Sequence, residues 1–222
     1  MTDFWSTVGS GEFARIVLLS LGVSLSATGL SIVLGLPMGA ALAVFRFRGR
    51  RFLIVFINAL LGLPPVVVGL ALYLVLSRAG PFGALRLLFT PGAMVLAQTV
   101  LATPIVAALV HRAVADLWDD YGGALRVDGA TALRSIPTLV AMARMRIVTA
   151  ALAGFGRTIS EVGAILVVGG NIAGYTRTMT TAIALETSKG NLSLALGLGF
   201  VLIGISVAVS ATVFALGAEE RR

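Results

Sequence analysis

The chain has 222 residues, of which 58% are hydrophobic and only 12% charged, and its mean hydropathy is +1.00. Soluble domains carry about twice that charged share, and several apolar runs here exceed the roughly 18 residues of a membrane helix, so a soluble fold is excluded because too little polar surface exists to cover such a core. The net charge of +7 sits mostly on arginines in short loops between apolar runs, which matches the positive-inside rule and lacks the clustered aromatics and motifs of a nucleic-acid footprint.

Residues 1–12 read as a short polar entry with an interfacial Phe4-Trp5 pair. The first span is expected over about 16–45. Ser24, Thr28, Ser31, Gly35 and Gly39 recur at helical spacing and give it a small-residue face for close helix packing, and Pro37 is expected to bend it. The run is too long for a signal peptide and no small-residue cleavage pattern follows, so it is read as retained. Arg46, Arg48, Arg50 and Arg51 come next and mark the cytoplasmic side.

The second span, about 52–76, contains Asn58 and then Pro64-Pro65. Two prolines at mid-membrane remove backbone donors, which is tolerated only where protein or a wet cavity satisfies the freed carbonyls. Residues 77–91 form an outside loop with Gly80-Pro81 and Thr90-Pro91 as turn signals. The third span covers about 92–110, with Gln98 near its middle. A polar segment, 111–146, follows on the cytoplasmic side and reads as helix, glycine break, helix. The fourth span, about 147–168, carries Arg157 and Glu161 four residues apart, a spacing that puts both on one helical face and allows an ion pair. Residues 172–190 are expected as an outside loop or shallow helix, the fifth span covers about 192–216, and 218–222 form a cytoplasmic tail.

Five spans place the N-terminus outside and the C-terminus inside. Eleven of the 17 Lys and Arg residues then fall inside and five outside, with Arg157 in the membrane. No repeated segment supports an inverted-repeat secondary transporter. There are no cysteines and His111 is the single histidine, which excludes disulfides, thiolate sites and a multi-histidine metal site within the chain. No GxxxxGK[ST] loop occurs, so the chain does not bind ATP by that route.

The segment Gly123-Ala124-Leu125, followed by Gly129, resembles the cytoplasmic signature of ABC importer permeases, an EAA tripeptide, three residues and a glycine. Ala124 and Gly129 match, whereas Gly123 replaces the family's glutamate and the later Ile-x-Leu-Pro has no counterpart near Leu139. LPPVVVGLALYLVLS (63–77), GPFGALRLLFTPGAM (80–94), AQTVLATPI (97–105), the long block 153–191 and LALGLGF (194–200) look like the tungstate-type permease branch, which is related to molybdate permeases. The resemblance implies an all-α integral membrane protein of the ABC type I importer permease fold. It would comprise one transmembrane domain over 13–217, about five helices and a coupling-helix loop over 113–142, in the cell membrane. It implies a homodimer served by a cytoplasmic ABC ATPase dimer, which binds ATP and Mg, and by an extracytoplasmic oxyanion-binding protein. The chain itself would bind no cofactor and catalyse no reaction. Ala124, Leu125, Arg126, Val127, Asp128, Gly129 and Ala130 would form the contact with the ATPase.

Arg157, Ser160 and Glu161, with Asn58 and Gln98, are the candidates for a transport path or gate. An ionised group at a helix centre costs about 2.5–3.5 kcal/mol on insertion scales, so Arg157 and Glu161 call for a pair or a wet cavity. Two readings stay open for them: lining the anion path, or an internal pair that fixes helix packing. For Gln98 and Asn58 the alternative is a hydrogen bond to a neighbouring helix. Thr178, Thr180, Thr181, Arg177 and Asn171 are expected outside, as a mouth or a solvated loop. The function expected is import of an oxyanion, tungstate first, with molybdate or sulfate next; an ion-coupled secondary transporter is the rival class.

Overall fold

The structure, a computed structural model, describes residues 11–219. The expected interfacial pair Phe4-Trp5 and the terminal Arg221-Arg222 lie outside the described residues. Every regular element among the described residues is a helix.

Helix α1, Gly11–Val44, carries no charged residue after Arg15. Its hydroxyls are satisfied by its own carbonyls one turn back: Ser20 donates to Ile16 at 2.8 Å, Thr28 to Ser24 at 2.7 Å and Ser31 to Ala27 at 2.8 Å. Pro37 lies inside it without interrupting it. Helix α4, Pro91–Val127, is 37 residues long and is capped at its start by Thr90, whose hydroxyl accepts from the Ala93 N–H. α1 and α4 run side by side in the same direction and share the largest interface in the fold. Ser31 faces Thr99, Gly35 faces Val106, and Gly39 sits against the Ala107 carbonyl and the His111 amide. The Ser31, Gly35 and Gly39 part of the small face expected on the first span therefore packs against α4, while Ser24 and Thr28 meet Thr158.

Two spans are broken, the second at the proline pair where the sequence pointed to a break and the fourth where an unbroken helix was expected. The second consists of α2, Arg50–Leu60, and α3, Pro65–Leu76, bent by 102°. Pro64 and Pro65 are the cause: Pro65 opens α3 at a position where its missing N–H costs nothing. The fourth consists of α6, Arg144–Ile159, and α7, Gly163–Gly169, separated at Ser160–Val162. The third span runs further than expected. α4 passes Pro104, His111 and Gly122-Gly123 without interruption, and the chain breaks only after Val127. There Gly129, at φ 81°, closes the helix: its N–H donates to the Arg126 carbonyl and that of Ala130 to the Leu125 carbonyl. This is the 6→1 and 5→2 pair of a Schellman stop, which needs the left-handed residue that glycine supplies. Helix α5, Ala132–Met142, follows at once, capped by Thr131, and bends by 75° into α6.

Of the two alternatives expected for residues 172–190, a loop or a helix, the structure forms helix α8, Met179–Ser188, opened by a reciprocal Thr178–Thr181 capping box. Met179 and Ala182 have no exposed surface and pack with Phe13, Ile16, Phe155, Ile159, Leu194 and Leu198. Helix α9, Leu192–Glu219, completes the bundle. A second apolar cluster joins α3, α4 and α7 around Met94 and Ala164, and a third gathers Val110, Val114, Trp118 and Leu139 at the arginine-rich end. Leu18, Val33, Val67, Leu74, Phe200, Ile203 and Val207 are exposed on the outer faces of the helices. Outward-facing large apolar side chains on helices this apolar are what a lipid solvent requires.

Candidate functional site

The two breaks meet. The half-helices α3 and α7 lie against each other, with Gly163 facing Val66 and Gly69 facing Ala164. A Cβ on Gly69 would come within 2.8 Å of the Ala164 Cα, so only a glycine lets the half-helices approach this closely. Each half-helix exposes backbone groups at its broken end, and a bilayer interior offers no water to bond them.

Side chains from three elements supply the partners at the α6–α7 break. Gln98 of α4 donates through Nε2 to the Thr158 carbonyl at 2.8 Å. Glu161 caps α7: its Oε1 accepts from the Ala164 N–H at 3.1 Å, an acidic group at the positive end of a helix. Thr180 of α8 donates to the Glu161 carbonyl at 2.7 Å. The other carboxylate oxygen of Glu161 accepts from Arg157 Nη1 at 2.6 Å. The expected ion pair is therefore present, but Glu161 stands beyond the end of α6 and the two groups do not share a helical face. The Glu161 side chain is 3% exposed and that of Arg157 32%, so the carboxylate is buried while the guanidinium reaches the surface of the fold. Thr158 donates to the Phe155 carbonyl at 2.9 Å and lies 3.3 Å from the Thr28 hydroxyl.

Ser160 is exposed on the rim of a hollow of about 690 Å³ between the break and α9, lined also by Leu202, Ser206, Ser210 and Phe214. The structure thus gathers Arg157, Ser160, Glu161 and Gln98 at one break. Asn58 is elsewhere. It accepts from Arg112 Nη2 at 3.2 Å, and Arg112 is fourteen residues along α4 from Gln98, about 21 Å at the helical rise.

Sequence reasoning missed Thr158 and Thr180 as partners of the break. Thr178, Thr180 and Thr181, expected at an outer mouth, are buried at 3%, 6% and 1% exposure. The readable signal was Ser160-Glu161 before Gly163: polar, cap-competent residues inside an apolar run mark a second helix start rather than the middle of a first.

The expected coupling segment forms the tip of the arginine-rich end. Ala124, Leu125, Arg126 and Val127 are the last turn of α4, and Asp128, Gly129 and Ala130 form the stop. Arg126 stacks over the Trp118 ring, 4.9 Å from its centre, and Leu125 packs on the inner apolar cluster. Val127 and Leu133 are 89% and 66% exposed. A capped knuckle therefore carries two bare apolar side chains outward.

No family model matches the chain. A probable anion ABC transporter permease protein of Haloferax volcanii is 44% identical over 211 residues, covering 93% of this chain and 89% of that one. The tungstate uptake system permease protein of Peptoclostridium acidaminophilum is 35% identical over 204 residues, covering 92% and 90%. Among solved structures, the MetNI methionine ABC transporter in inward-facing conformations contains a chain of the same fold. It matches with a TM-score of 0.72 and 19% identity, covering 92% of this chain and 96% of that one.

Proposed function

The chain belongs to the permease proteins of ABC transporters, and from that premise we propose that it is the membrane subunit of an ATP-driven importer of tungstate. The observation that carries the substrate class is the similarity over nine-tenths of the chain to permeases named for anions and for tungstate. The working unit is a pair of these chains with two cytoplasmic ATPases, which hold ATP and Mg, and an extracytoplasmic anion-binding protein. The arginine-rich end faces the cytoplasm, with the N-terminus outside and the C-terminus inside.

In this reading Ala124 to Ala130 seat in a groove of the ATPase. The exposed Val127 and Leu133 supply apolar contact, and Gly129 holds the knuckle in shape. Closure of the two ATPases moves the knuckles, and the helices switch a central cavity from inward to outward access. The α6–α7 break is the gate. Arg157, with about a third of its side chain exposed, faces the anion and Ser160 lines its way. Glu161 keeps the guanidinium from binding the anion too firmly, as a passage site must release what it admits. Gln98 and Glu161 hold the broken ends, and Asn58 with Arg112 lies toward the inner end.

Transport into proteoliposomes tests this, with the purified permease, its ATPase and its binding protein. ATP-dependent tungstate uptake that stops when any one component is omitted is the expected result. Uptake by the permease alone, driven by an ion gradient, would assign it to the secondary transporters instead. Titration of the binding protein with tungstate, molybdate and sulfate decides among these tetrahedral dianions.

A further inference from the structure

α2 does not follow the direction of the spans. Arg50, at its start, donates through Nε to the Leu42 carbonyl at 2.6 Å and through Nη2 to the Ala43 carbonyl at 3.4 Å. Ile57, seven residues and about 10 Å further along the helix, still packs on Leu42, together with Ala107 and Ala108. A helix whose two ends touch the same level of α1 crosses α1 rather than running beside it, in keeping with its 102° bend to α3. That level is set by α4: Ala108 lies seventeen residues from Pro91, about 25 Å along the helix, close to the far edge of a hydrocarbon core about 30 Å thick.

The faces of α2 match that position. Ile57 is buried against the bundle, while Phe52, Val55 and Phe56 are 70%, 62% and 49% exposed on one stripe, with the Phe52 and Phe56 rings stacked 6.2 Å apart. Arg46 and Arg48, just before it and flanking the exposed Phe47, and Arg51 in its first turn are exposed and make no ion pair or side-chain hydrogen bond among the described residues. Arg50 differs because it is spent on the α1 carbonyls.

We propose that α2 is an interfacial helix lying along the inner boundary of the bilayer, and that Arg46, Arg48 and Arg51 hold the phosphate groups of anionic phospholipids while Phe47, Phe52 and Phe56 enter the acyl region. Guanidinium pairs with phosphate through two parallel hydrogen bonds. Basic side chains at an anionic surface strengthen association by roughly fivefold each. Aromatic side chains favour this layer. The inference does not depend on the transported substrate or on the ATPase.

The test is thermal unfolding of the full chain in detergent micelles titrated with phosphatidylglycerol or phosphatidylcholine. Phosphatidylglycerol should raise the midpoint by several degrees more than phosphatidylcholine. The R46Q/R48Q/R51Q triple variant should lose at least two-thirds of that excess, and an R78Q/R86Q variant at the opposite end should keep it. Equal shifts from the two lipids, or an undiminished excess in the triple variant, would overturn the assignment. So would efficient disulfide cross-linking between two copies of Phe56→Cys in liposomes, because a second copy would then cover the stripe.

Discussion

Glu161 carries two separable jobs, and substitutions can divide them. Its Oε1 caps α7 and its Oε2 pairs with Arg157. Glu161→Gln keeps an acceptor for the Ala164 N–H and removes the charge. We expect it to cut tungstate uptake at least tenfold and to cost about 1.5–3 kcal/mol, the scale of the one charged hydrogen bond lost to Arg157. Glu161→Leu removes both functions, leaves a buried donor unbonded and a guanidinium unpaired, and should cost about 3–5 kcal/mol. Uptake assays paired with unfolding midpoints check both, and wild-type transport by Glu161→Gln would remove the gating role. A second carboxylate predicts a pH dependence. Glu186 is nearly buried at the α8–α9 elbow. Its pKa is lowered, first by the hydrogen bond from Lys189 at 2.9 Å and then by that from Asn191, against an opposing effect of burial. A depressed carboxylate contributes stability that is present above its unfolded pKa and lost as pH falls through the folded one. Amide exchange in residues 186–192 should therefore accelerate below the ordinary carboxylate range, and the acceleration should be absent in Glu186→Gln.

At the scale of elements, the contact between half-helices α3 and α7 depends on Gly69. A Val side chain there meets the Ala164 backbone and should cost about 1–3 kcal/mol through overpacking, whereas Gly204→Val on α9, which meets nothing within 4 Å, should be neutral; unfolding midpoints of the two variants check this. The elements were legible in the sequence to different degrees, for physical reasons. α1 and α9 announce themselves through long apolar runs, and the small face of α1 from Ser24 to Gly39 is read directly from its period. The break at Pro64-Pro65 was visible because proline removes a donor wherever it stands. The break at Ser160–Val162 was harder to read, because it contains no proline, its polar pair Ser160-Glu161 also fits one helical turn, and its broken ends are bonded by Gln98 and Thr180, far away in sequence. For α8 a loop and a helix both stayed open, because threonines look solvated in sequence. Here Thr178 and Thr181 bond each other and the backbone, which removes the cost of burying them. Gly122-Gly123 looked like a helix stop, but Gly122 lies under the Trp118 ring, 2.9 Å from where a Cβ would sit, and serves packing, while the stop falls at Gly129.

At the scale of the molecule, the arginine-rich end and the knuckle must face the same compartment, since α4 connects the break to both. A single cysteine at Asp128→Cys in this otherwise cysteine-free chain should resist membrane-impermeant maleimide in intact cells and react after permeabilisation. A cysteine at Ser77, on the loop between α3 and α4, should react before it. The reverse pattern would invert the topology and with it the assignment of the ATPase contact.

The unbroken length of α4 has a mechanical consequence. Thirty-seven residues make a rod about 55 Å long, with the knuckle at one tip and Gln98 two turns from the other. A rod of that length tilting by only five degrees sweeps its tip through about 5 Å, with no residue along it changing conformation. On the proposed function, lever arm, pivot and latch would all belong to one helix: a small push at Val127 would arrive at Thr158 as a tug on a single amide.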